Sequence, residues 1–246
     1  MTGLNRYAVW DAPTRAFHWI NVLCVLGLAG VGVVLLNATT LGIGNPGKLA
    51  LKSLHSGIGY VFAVNLLLRV FWAFAGNRYA RWSALLPGGR GYGAVLRRYV
   101  AAAAAGRAPA YLGHDPLGRI AVAVLLLLLT VQALTGLLLA GTDLFYPPFG
   151  GWIAAWIAAP GVDPGLLQPY TPQTYDAAAY ESMRALRKPF AVLHVYGFYA
   201  LAVGVVLHVT AIVLAELRQG GGIVSAMLNG HKVLAERPAD SDDAAA

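Results

Sequence analysis

Apolar residues dominate four long stretches of the chain, roughly 17–36, 55–75, 117–140 and 190–214. Crossing the hydrocarbon core of a bilayer takes about 20 helical residues, so each stretch predicts one transmembrane helix. Polar and helix-breaking residues mark the entries: Asp11, Pro13 and Arg15 before the first, Asn45 and Pro46 before the second, His114, Asp115 and Pro116 before the third, and Pro189 before the fourth. The first stretch is N-terminal and follows Arg6 and Arg15, as a secretory signal would. It is long, however, and no small-residue cleavage site follows it, so a retained span is expected. A shorter apolar segment, 151–159 with Trp152 and Trp156, cannot span and reads as a short interfacial helix. It belongs to a long connection, 141–188, that also carries Tyr170, Pro172, Tyr175 and Tyr180. That cluster suits either an aromatic belt over the bilayer or a docking face for another subunit. The expected fold is all-α, a transmembrane four-helix bundle formed by one domain over 1–236, with a polar, disordered tail over 237–246.

Composition agrees with this pattern. Of 246 residues 58% are hydrophobic and 12% charged, with a mean hydropathy of +0.60, which excludes an ordinary soluble globule. The net charge of +7 is explained by where the cations lie. With four crossings both termini and the loop over 76–116 share one side, which holds Arg6, Arg15, Arg78, Arg81, Arg90, Arg97, Arg98, Arg107, Arg119, Arg218, Lys232 and Arg237. The other side holds Lys48, Lys52, Arg184, Arg187 and Lys188. This asymmetry places both termini in the cytoplasm of a bacterial inner-membrane protein and the long connection in the periplasm. Basic residues dispersed around spans also argue against a nucleic-acid surface. Cys24 is the single cysteine, so disulfide frameworks and thiolate metal clusters within the chain are excluded.

Ionisable side chains inside a bilayer are costly and usually functional. Four of the six histidines, His18, His55, His194 and His208, fall in or at the ends of the expected spans. Taken singly, each could serve as an interhelical hydrogen bond. His194 and His208 are 14 residues apart, nearly four turns, so they share a helix face about 21 Å apart along the axis. Alternating span direction puts His18 at the depth of His208 and His55 at that of His194. Imidazole pairs facing each other across a helical bundle suit a porphyrin iron with two axial nitrogen ligands. A zinc site would need three or four ligands at one depth, and a proton relay would more often include an acid. Two haem b groups between helices are therefore expected, ligated by the pairs His18/His208 and His55/His194. Gly27, Gly30, Gly32, Gly57, Gly59, Gly197 and Gly204 leave room for a macrocycle, although close helix packing uses small residues equally well.

Local motifs also carry a resemblance. The run Trp10-Asp11-Ala12-Pro13-Thr14-Arg15-Ala16-Phe17-His18-Trp19 resembles the opening of bacterial b561-type cytochromes, which include the cytochrome b subunits of nickel-iron hydrogenases. Similar matches are Leu54-His55-Ser56-Gly57-Ile58-Gly59-Tyr60, Leu68-Arg69-Val70-Phe71-Trp72, Gly113-His114-Asp115-Pro116-Leu117-Gly118, Gln132-Ala133-Leu134-Thr135-Gly136 and Met227-Leu228-Asn229-Gly230-His231-Lys232. The resemblance covers most of the chain and is weakest over 146–188. It implies the same four haem ligands, electron exchange with the quinone pool, and a soluble or peripheral redox partner.

Further polar residues leave choices open. Arg69 follows His55 by 14 residues and is a candidate for a haem propionate or a quinone headgroup, or it snorkels to the surface. Arg15, beside His18, is a second propionate candidate. Asp115-Pro116 makes a good helix start, which favours capping over a ligand role for the His114-Asp115 pair. Gln132 and Thr135 suit either helix-helix hydrogen bonds or the second nitrogen of a ligand histidine. The primary expectation is a dihaem b-type electron carrier, a subunit of an oxidoreductase complex. It would work between a periplasmic partner, hydrogenase-like or a c-type cytochrome, and quinone in the lipid. The alternatives are a stand-alone quinone-coupled haem oxidoreductase acting on oxygen species or a small acceptor, and a haem-free transporter or membrane anchor.

Overall fold

A computed structural model describes residues 4–220 and 222–241. Its helices are α1 (Ala12–Leu36), α2 (Asn45–Ala75), α3 (Trp82–Leu85), α4 (Tyr92–Ala104), α5 (Pro116–Leu144), α6 (Gly150–Ile157), α7 (Ala177–Gln219) and α8 (Ile223–Asn229). Among the described residues α1, α2, α5 and α7 are long and apolar enough to cross a membrane. Each is longer than the apolar stretch that announces it.

The extra turns have a local cause. Asp11 accepts the Thr14 N–H at 2.9 Å, Asp115 the Gly118 N–H at 2.7 Å, and Asp176 the Ala179 N–H at 2.8 Å. These are side-chain caps on the first-turn donors that a helix cannot satisfy itself. They start α1 and α7 a turn or more ahead of their apolar stretches and α5 at the edge of its own. The cap at Asp176 also corrects an expectation: Pro189 does not begin the fourth span but lies inside α7. A proline there removes one helical hydrogen bond, and a membrane helix tolerates this when neighbouring groups satisfy the freed carbonyl.

The chain divides into two compact units, one of Met1–Trp19, Leu67–Leu127 and Leu201–Ala246, the other of Ile20–Leu66 and Leu128–Ala200. In the first, a small sheet departs from the all-α expectation. Strands β1 (Asn5–Ala8) and β2 (His231–Leu234) pair antiparallel, with Asn5 opposite Leu234 and Ala8 opposite His231. Val9, Tyr79, Leu112 and Leu234 form a core beneath it. The tail differs from expectation as well. Pro238 is fully buried, and the Asp240 carboxylate accepts the N–H groups of Leu112 and Gly113 at 2.6 and 2.8 Å. A short polar segment thus gains order from backbone donors elsewhere in the chain. Residues 242–246 lie outside the described part.

In the second unit the connection following α5 is packed rather than loose. Ile153, Ala154 and Ile157 of α6 meet Leu167 and Met183, with Phe145, Phe149, Tyr175 and Tyr180 around them. Tyr175 stacks on Tyr180 at 5.0 Å and meets Phe145 edge-on, so these two half-buried tyrosines pack against the α6 core. Trp152, at 74% exposed, and Trp156 occupy the opposite face of α6. The Asp143 carboxylate takes Lys52 Nζ at 2.8 Å and Arg187 Nε at 2.6 Å, joining α2, α5 and α7. Two cations that sequence alone places as loose flanking charges are thereby paired. Leu23, Leu26, Val61, Val64 and Leu134 project outward in this unit, as do Phe71, Phe74, Val206 and Leu207 in the other. Such surfaces suit lipid and not water.

Candidate functional site

His55 on α2 and His194 on α7 lie in the second unit and face each other with ring centroids 6.2 Å apart and planes at 74°. Two metal–imidazole bonds of about 2 Å each, with the ring radii added, put centroids about 6 Å apart across a single metal. The flanking helices carry glycine where the rings come close. A Cβ at Gly136 of α5 would stand 3.3 Å from the His194 ring, and one at Gly32 of α1 would stand 3.5 Å from the His55 ring.

Hydrogen bonds hold His194 at both its ring and its backbone. Thr135 Oγ1 lies 2.8 Å from His194 Nδ1 and donates its own proton to the Val131 carbonyl at 2.7 Å. With its one proton on that carbonyl, the hydroxyl accepts from Nδ1–H, the tautomer that leaves the Nε2 lone pair free for a metal. Gln132 Nε2 donates to the His194 carbonyl at 3.0 Å. Thr135 therefore takes a ring nitrogen of His194 while Gln132 ties helix to helix, a division the sequence leaves open. His55 Nδ1 is buried without a hydrogen-bond partner.

His18 on α1 and His208 on α7 belong to the first unit and lie within electrostatic range of each other. His18 meets the Trp19 ring edge-on at 5.3 Å, and its Nδ1 is buried without a partner. Trp19 Nε1 donates to the Met227 carbonyl at 2.9 Å. Arg15 donates to the Leu228 carbonyl, so part of this propionate candidate holds the end of α8, while its Nε is buried and unpartnered. Arg69 donates to the Ala80 carbonyl at 3.2 Å and lies in range of Asp11. Among the described residues no group of three or more His, Cys, Asp or Glu converges on one point. The histidines stand as pairs, and the paired imidazoles, the free Nε2 of His194 and the glycine-lined rings fit a bis-imidazole haem.

Several motif residues around these histidines serve as framework. The Asp11 carboxylate accepts from Trp72 Nε1 at 3.1 Å and from the Asn77 N–H at 3.2 Å as well as from Thr14. Burial pushes this carboxyl up, but the hydrogen bonds outweigh it and hold Asp11 below the usual carboxylate range. Gly230, at φ 85°, passes so close to Trp10 that a Cβ would stand 2.7 Å from its carbonyl oxygen, and the N–H groups of Val9 and Trp10 bond to the Gly230 carbonyl. Only glycine fits there. Lys232 is buried and donates to the carbonyls of Tyr111 and Gly113. Its neighbour His114 lies 5.1 Å from the Trp10 ring. The half-buried ring has a fully covered Nδ1 with no partner. Burial, reinforced by Lys232, Arg69, His208 and Arg119, drives its pKa down to about 3.

Comparison with known proteins identifies relatives over most of the chain. A family model described as prokaryotic cytochrome b561 matches residues 9–230. A protein of Cupriavidus necator named as a probable Ni/Fe-hydrogenase B-type cytochrome subunit is 28% identical over 91% of this chain and 86% of its own length. A protein of Rhizobium leguminosarum bv. viciae with the same name is 27% identical over 93% and 90%. The probable Ni/Fe-hydrogenase 1 B-type cytochrome subunit of Escherichia coli K12 is 32% identical over 52% of the chain and 57% of its own length.

Proposed function

The chain belongs to the prokaryotic cytochrome b561 family, and we propose that it carries electrons between a hydrogenase-like redox subunit and the quinone pool through two b haems. Haem b supplies a one-electron couple whose potential the protein tunes through its ligands and their surroundings. His55 and His194 hold one haem, with Thr135 fixing the His194 tautomer. His18 and His208 hold the other, and the unpartnered Nε of Arg15 and the guanidinium of Arg69 are offered to its propionates. The single observation carrying this reading is the hydrogen bond from His194 Nδ1 to Thr135 beside an opposed His55 ring. A histidine serving only to join helices has no need of a second imidazole ring 6.2 Å away.

The membrane setting follows from charge. Twelve basic residues flank one side against five on the other, which puts both termini in the cytoplasm and the α6 connection in the periplasm. There Trp152 and Trp156, one turn apart on the exposed face of α6, suit the headgroup layer. The relatives named as hydrogenase cytochrome subunits support a partner of that chemistry.

Purification from native membranes, combined with mass spectrometry and haem spectroscopy, tests the proposal. The expected result is a co-purifying redox subunit and reduction of the b-haem bands by hydrogen gas. A chain that isolates alone, with bands reduced by dithionite but unmoved by hydrogen in the native membrane, contradicts it.

A further inference from the structure

We propose that a cavity at the start of α5 binds a phosphate-bearing anion through Arg90, Arg119 and His114. The cavity measures about 180 Å³ and is lined by these three residues together with Tyr92, Tyr111 and Pro116. Among the described residues no carboxylate lines it. The acids next in reach are engaged elsewhere: Asp115 accepts from the Gly118 N–H and from the Tyr99 hydroxyl, and Asp240 accepts from Leu112 and Gly113.

Two covered donors point to a ligand. Arg119 is anchored by bonds to the Ser83 and Leu86 carbonyls and lies 5.4 Å from the Tyr92 ring centroid, yet its Nε is covered and unpartnered. His114 Nδ1 is covered and unpartnered as well. A buried polar atom left unsatisfied destabilises the fold, and a small rotation of either side chain toward the cavity lets an oxygen-rich anion accept from it without needing a donor of its own. The depressed pKa of His114 keeps its ring neutral near pH 7, so it can offer an N–H while the two guanidiniums supply the charge. The positive end of α5 adds to the same field.

Pro116 is the first residue of a membrane-crossing helix, so the cavity opens where that helix leaves the hydrocarbon. That is the depth of lipid phosphates, and free inorganic phosphate offers the same chemistry.

The test uses the full haem-loaded chain in neutral detergent at constant ionic strength, with binding followed by calorimetry. The probes are dioctanoyl-phosphatidylglycerol, inorganic phosphate, and dioctanoyl-phosphatidylcholine as the zwitterionic comparison. At least one of the two anions binds saturably at one site and more tightly than phosphatidylcholine. Arg90 is exposed, so Arg90→Gln folds and weakens that binding about tenfold, Arg90→Glu weakens it further, and haem absorbance is unchanged in both. Tighter binding of phosphatidylglycerol identifies a lipid headgroup as the source, and tighter binding of phosphate identifies the free ion. Absence of saturable binding by either anion, or affinity that neither variant alters, overturns the proposal.

Discussion

A hydroxyl can accept from a ring N–H only when its own proton goes elsewhere, and Thr135 meets that condition by donating to the Val131 carbonyl. Replacing it by valine keeps the shape and removes the acceptor. Thr135→Val is expected to weaken haem retention at the His55/His194 site about tenfold or more and to shift the midpoint potential of that haem alone, as read by redox titration. His114 makes a second prediction at this scale. Its folded pKa of about 3 lies below the ordinary 6.5, so between those values the unfolded chain binds a proton that the folded chain does not. Stability therefore falls as pH drops below about 6.5. The melting temperature measured from pH 7 to pH 5 should decline, and less steeply in His114→Gln. Single residues were legible in the sequence where little competed with them: four histidines stand out in spans whose charged residues are otherwise only Arg69 and Arg119. Arg15 was harder to read, because its hydrogen-bond partner, the Leu228 carbonyl, lies more than two hundred residues along the chain.

Among the elements, apolar length predicts how many helices cross, and polar caps decide where they begin. Asp115 was readable because aspartate directly before proline marks a helix start. Asp176 was masked by Pro189, the stronger breaker signal, so α7 begins 13 residues earlier than the expected start at 190. The strands β1 and β2 are four residues each, too short to show a period, and their pairing joins opposite ends of the chain. The Asp143 group was hidden for a related reason, since its partners Lys52 and Arg187 come from two other helices. Asp143→Asn leaves two half-buried cations without their counter-charge. With side chains about a third exposed, the expected loss is about 2–3 kcal/mol, measured as thermal unfolding of the variant at equal haem content. Asp11→Ala removes the α1 cap and the acceptor of Trp72 and Asn77. It should cost about 1–3 kcal/mol in the same measurement.

For the whole molecule, the outward leucine, valine and phenylalanine side chains and the family match describe one object, a b-type cytochrome embedded in the membrane by four helices. Each histidine pair inferred from span direction falls within a single compact unit, His18 with His208 and His55 with His194. The central proposal is that each pair holds its own haem. Its most direct test is the ratio of haem b to polypeptide, by pyridine haemochromogen, in the purified chain and in the variants His194→Ala and His18→Ala. The expected ratios are two for the unmodified chain, one for each single variant and zero for the double variant. A ratio of one in the unmodified chain, or ratios that neither single substitution changes, would contradict the pairing.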